Sequence, residues 1–106
     1  KKIPQLLEYF LQDCLDWDLC FSFKSMFGWY WIYKNGKIFA LYVNDEIYFK
    51  VWKNNLEDYK RYNSQIFEYD RKWKKVNLSY YTLPEDIFEN REELDIWIEK
   101  SLEVNI

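Results

Sequence analysis

"MFGWYWIYKNGKIFALYVNDEIYFKV", residues 26–51, decides how the chain folds. Asn35-Gly36 is a strong hairpin signal, because a type I′ turn needs positive φ at both central residues. Asn44-Asp45 is a weaker version of the same signal. The aromatic and β-branched residues around both favour strands. The stretch predicts three antiparallel strands, over 26–34, 37–43 and 46–53. With two-residue loops, Tyr33 pairs with Ile38, Trp31 with Ala40 and Trp29 with Tyr42; Ala40 then pairs with Phe49 and Tyr42 with Ile47. One face carries Phe27, Trp29, Trp31, Tyr33, Ile38, Ala40, Tyr42, Ile47, Phe49 and Val51, with no charge, and is the expected core. The other carries Tyr30, Ile32, Phe39, Leu41, Tyr48 and Trp52, with Lys34, Lys37, Glu46 and Lys50 at its margin. An apolar centre with a polar margin is how protein interfaces are built, so these six residues are the expected partner surface. A one-residue slip would exchange a strand's faces.

Outward from this stretch, "IPQLLEYFLQDCL" reads as a helix, with Ile3, Leu6, Leu7, Phe10 and Cys14 at helical spacing and Pro4 in the first turn. "NNLEDYKRY" is a short helix with Asn54 or Asn55 as N-cap. "QIFEYD" and "KKVNLSYY" are two more strands joined by the basic tip "RKWKK". Thr82 with Glu85, and Asn90 with Glu93, have the spacing of capping boxes. Leu94, Trp97, Ile98 and Leu102 give the last helix its apolar stripe. The expected order is helix, three strands, helix, two strands, helix: an α+β fold around a five-stranded, mainly antiparallel sheet.

The 106 residues are expected to form one domain, with rings, at 23% of the chain, supplying much of the core. A formal charge of −3 argues against general attraction to nucleic acid. Without histidine the chain lacks the commonest general base and metal ligand. Cys14, Cys20 and Ser79 therefore have no imidazole to activate them, and with only Gly28 and Gly36 there is no glycine-rich phosphate loop. An enzyme is not expected, nor a cofactor or metal. The carboxylates Glu85, Asp86, Glu89, Glu92, Glu93 and Asp95 fall at helix starts and on exposed faces rather than converging as ligands. The two cysteines are expected as free thiols in a reducing cytoplasm, and no apolar run is long enough to span a membrane.

The aromatic run invites comparison with RNA-recognition motifs, whose central strand exposes rings to stack bases. "KSMFGWYWIYK" lacks that motif's ordered basic-Gly-aromatic-Gly core. Arg71, Lys72, Trp73, Lys74 and Lys75 form the dense basic patch and are the second candidate site. A solvated hairpin tip is the ordinary reading of such a patch. Phosphate gripping with base stacking is the alternative, a nucleic-acid-binding module using this tip and the sheet aromatics.

The order and spacing of Met26-Phe27-Gly28, Asn35-Gly36-Lys37, Phe39-Ala40-Leu41, Ser79-Tyr80-Tyr81 and Leu83-Pro84-Glu85 resemble the N-terminal domain of the TfoX/Sxy family, from about Ser25 to Leu102. The chain departs from that family at Trp29 and Trp31, where its members usually carry glycine. The resemblance implies a secretion-chaperone-like sheet and a bacterial regulator of natural competence working through protein partners. In the best-known members the partner is a cyclic-AMP receptor protein at promoters. The chain looks like a solitary N-terminal domain without the regulators' second domain. A transcription factor is the expected partner, together with a symmetric homodimer through part of the charged-margin face or the adjoining strand edge.

Overall fold

Four hairpins and a layer of helices account for the chain. The computed structural model describes residues 3–103. A helix, α1 (Gln5–Tyr9), runs on into a π-helical turn (Phe10–Cys14). Then come β1 (Phe21–Met26), β2 (Trp29–Lys34), β3 (Lys37–Val43), β4 (Glu46–Lys50) and α2 (Leu56–Lys60). Strands β5 (Ile66–Arg71) and β6 (Lys74–Thr82) follow, then α3 (Glu85–Phe88) and α4 (Arg91–Leu102). All strands join one antiparallel sheet in the order β1-β2-β3-β4-β6-β5.

The α+β class agrees with the sequence, but the expected five-stranded arrangement does not: the sheet has six strands, four of them before α2. The extra strand arises at Phe27-Gly28, which reads as strand interior but turns the chain back. Phe27 has φ 60° and Gly28 φ 79°, the paired positive values of a type I′ turn. A Cβ at position 28 would meet nothing within 4 Å, so that glycine serves the backbone conformation and not close packing.

The second difference is a register shift. Tyr33 pairs with Ile38 as expected, but Ile32, not Trp31, pairs with Ala40. Phe39 is the extra residue of a β-bulge, and beyond it every β2 side chain changes face. Pairing of β3 with β4 is as read: Ala40 with Phe49, Leu41 with Tyr48, Tyr42 with Ile47. Tyr30 and Ile32 therefore join Phe39, Ala40, Tyr42, Ile47, Phe49 and Val51 beneath the helices. There they meet Phe10, Leu11, Leu94, Trp97 and Ile98.

Trp29 and Trp31 move to the opposite face, beside Leu41, Val43, Tyr48, Phe67, Tyr69 and Tyr80. The Trp29 ring lies 5.2 Å from Phe67 and 5.3 Å from Tyr69, centroid to centroid. Strands β2 and β5 are four positions apart in the sheet, about 19 Å on a flat sheet at ~4.8 Å per strand. The sheet is therefore curled, and rings from its two halves close over its second face.

Local signals at the helix starts are partly realised. Asn90 Oδ1 accepts from the Glu93 N–H at 3.2 Å, as its spacing predicts. The expected cap at Thr82 does not form: that residue ends β6, and its Oγ1 accepts from the Gln65 N–H at 3.1 Å. Asn55 stands at the start of α2, but its side chain braces the preceding loop. It accepts from the Trp52 N–H at 2.8 Å and donates to the Lys50 carbonyl at 3.1 Å.

Candidate interaction surfaces

The six residues expected to form a partner surface do not form one. Ile32, Phe39 and Leu41 are fully buried. Tyr30 is half-buried on the helix side, against Phe23 and Tyr42. Tyr48 is half-buried on the other face, 5.0 Å from Phe67, and Trp52 is 46% exposed just after β4. The bulge at Phe39 splits the set between two interiors, and the curl of the sheet shuts the second. The sheet aromatics are likewise unavailable as a stacking platform, since Trp29 packs on Trp31 and on the β5 rings Phe67 and Tyr69.

The basic tip stands where the sequence places it. Arg71 ends β5, Lys72 and Trp73 make the turn, and Lys74 and Lys75 open β6. All five are exposed, and Trp73 is fully so. Lys75 lies 3.3 Å from Asp70. Among the described residues Arg71, Lys72 and Lys74 have no carboxylate partner within salt-bridge distance. Lys72 and Trp73 have φ 44° and 71°, in the same turn geometry that Asn35-Gly36 and Asn44-Asp45 adopt at the neighbouring hairpins. Residues other than Gly, Asn and Asp pay for that geometry. The tip thus holds a tryptophan in a costly conformation where it touches nothing of its own core.

At the other end of β6 lies an open cleft of about 790 Å³. Asp45, Glu46, Glu85, Asp86 and Glu89 rim it, over Leu6, Leu83 and Phe88. Burial, reinforced by Asp45 and Glu85, raises the Glu46 carboxyl above the usual carboxylate range. Glu89 accepts from the Tyr9 hydroxyl at 2.5 Å, and this bond is the main reason the phenol is held well above its ordinary value. The neighbouring Cys14 is a free, buried thiol pushed up to about 11, chiefly by burial. Protonated at neutral pH, it makes a poor nucleophile. Cys20, the second free thiol, is half-buried.

The other carboxylates do structural work. Glu92 and Glu93 sit in the first turn of α4, and Asp95 accepts from Arg91 Nε at 2.9 Å. Among the described residues no three His, Cys, Asp or Glu side chains gather as metal ligands. No described helix is long and apolar enough to cross a membrane.

What sequence reasoning missed is the first strand and its flanks. Strand β1 is an edge of the sheet, and Leu19 and Phe27, just outside its ends, are 99% and 84% exposed. The signal was Gly28, an isolated glycine inside a strand pattern.

No curated protein matches the chain. The family described as the TfoX N-terminal domain matches residues 20–105, a span that starts just before β1 and takes in every strand of the sheet. That match covers most of the 106 residues, and the chain belongs to the TfoX N-terminal domain family.

Proposed function

We propose that this domain is a non-enzymatic protein-interaction module with a regulatory role, a co-regulator of competence-type genes that works by contacting a transcription factor. One observation carries the interaction reading. The β5–β6 tip displays a fully exposed Trp73 among Arg71, Lys72, Lys74 and Lys75, in a turn that strains the backbone and adds nothing to the core. A rigid aromatic anchor ringed by cations fits an acidic protein surface. Family membership supports the regulatory part.

The nucleic-acid reading keeps the tip but loses the sheet aromatics, and a convex tip offers no groove to track a backbone. Capture from cells of the source organism, with wild-type protein and with Trp73→Ser/Lys72→Gln/Lys74→Gln, tests the proposal. The expected result is a transcription regulator recovered with the wild type, unaffected by nuclease and lost with the triple variant. Recovery abolished by nuclease would move the function to nucleic acid. Equal recovery with both proteins would remove the tip from the site.

A further inference from the structure

We infer that β1 is a dimerisation edge, on which a second copy of this chain adds its own β1 antiparallel across a twofold axis. This inference is independent of the regulatory partner and of the basic tip.

Natural sheets protect their edges with charge, proline or bulges. Strand β5, one edge of this sheet, does so: Glu68 and Asp70 are exposed on it. Symmetric pairing about its centre would set carboxylate against carboxylate. Strand β1, the other edge, reads "FSFKSM", with one charge, no proline and no bulge against β2. Among the described residues nothing pairs with its outer side.

The backbone fixes which groups that outer side offers. The Asn35 N–H donates to the Cys20 carbonyl at 2.7 Å, so Cys20 turns its polar groups toward β2. By antiparallel alternation Ser22, Lys24 and Met26 do the same, while Phe21, Phe23 and Ser25 turn theirs outward. The Phe21 N–H is used within its own copy, donating to Asp18 at 3.0 Å. The N–H groups of Phe23 and Ser25 and the carbonyls of Phe21, Phe23 and Ser25 remain.

A twofold axis perpendicular to the sheet keeps each residue on the same face in both copies, so only registers pairing odd positions with odd, or even with even, are allowed. Centring on Phe23 sets Phe23 against Phe23 and Phe21 against Ser25, outward-turned residues against outward-turned residues. The remaining N–H groups then meet carbonyls. Lys24 falls opposite Ser22. Centring one residue later, on Lys24, would set two ammonium groups face to face. The favoured register also brings Leu19 of each copy to Phe27 of the other. These two apolar side chains, among the most exposed in the molecule, flank β1 at either end. A continuous sheet through both copies results.

Light scattering on the purified full chain, over a dilution of about tenfold in the micromolar range, tests this. The expected mass is twice 13.4 kDa. Ser25→Pro removes an outward N–H without touching a bond to β2, and proline is tolerated on an edge strand. It should give a folded monomer with unchanged far-UV circular dichroism. Leu19→Asn with Phe27→Asn, which keeps a turn-compatible residue at position 27, should weaken the dimer at least about tenfold. This double variant decides the matter if the proline variant misfolds. Amide exchange at Phe23 and Ser25 should slow as concentration rises. A monomer mass throughout the range, or a dimer indifferent to these substitutions, overturns the inference.

Discussion

Replacing Lys72-Trp73 by Asn-Gly should make the protein more stable. Both residues sit at positive φ, 44° and 71°, where an ordinary L residue costs about 1–2 kcal/mol. Asn tolerates this region, and Gly removes the penalty at position 73. Against that, glycine gives the unfolded chain extra freedom worth roughly 0.5–1 kcal/mol. Losing the ring costs no burial, since Trp73 is fully exposed, and the Lys75–Asp70 contact is left in place. The balance is a gain of about 1 kcal/mol, or a rise of roughly 4–8 °C in Tm for a domain near this size. Thermal unfolding of the wild type, each single variant and the double variant is the measurement. The gain should appear mainly with Trp73→Gly, and partner capture should be lost with it. An unchanged or lower Tm would show that Trp73 contributes to folding, and would take away the argument that its position is held for a partner.

Trp29→Ala should cost about 3 kcal/mol in chemical denaturation, because its ring joins the two halves of the curled sheet; a loss under about 1 kcal/mol would mean the curl is held by the backbone alone. Tyr59→Phe should be neutral or stabilising by about 1 kcal/mol, since among the described residues the buried Tyr59 hydroxyl has no hydrogen-bond partner; a clear loss of stability would reveal one. Glu46→Gln should raise Tm at pH 7. The carboxyl's pKa is higher folded than unfolded, so the wild type gains stability as pH falls through that raised value, and the difference should close toward about pH 4. A difference that stays constant with pH would place the effect outside the Glu46 charge.

How far the sequence could be read depended on whether a feature was local. Asn35-Gly36 and Asn44-Asp45 name their own turns, and both fall where expected, with the β3–β4 register between them. Asn90 caps α4 for the same reason. The bulge at Phe39 has no such signature: "IFAL" looks like any strand, and only the competition between two faces for burial places the extra residue there. That single unreadable event misplaced Tyr30 and Ile32 as surface and Trp29 and Trp31 as helix-facing core. Phe27-Gly28 was legible only through its glycine, since an aromatic in the first turn position argues for strand. The basic tip was visible as charge, but its strained geometry and the isolation of Trp73 exist only in the folded hairpin. The cleft likewise exists only in the fold, because its carboxylates come from two separated segments.

The curl also sets an order of assembly. Each of the four hairpins closes over two residues, a local event on the microsecond scale. Trp29 and Phe67 are 38 positions apart, with α2 and two turns between them, and their contact must wait until β6 has docked on β4. Loop-closure entropy makes such distant pairings late in folding. The helix-covered core is knit by α1, α4 and three adjacent strands and can stand before the aromatic face shuts. The β5–β6 hairpin, with the basic tip at its end, is thus expected to be the last part of the sheet to be fixed.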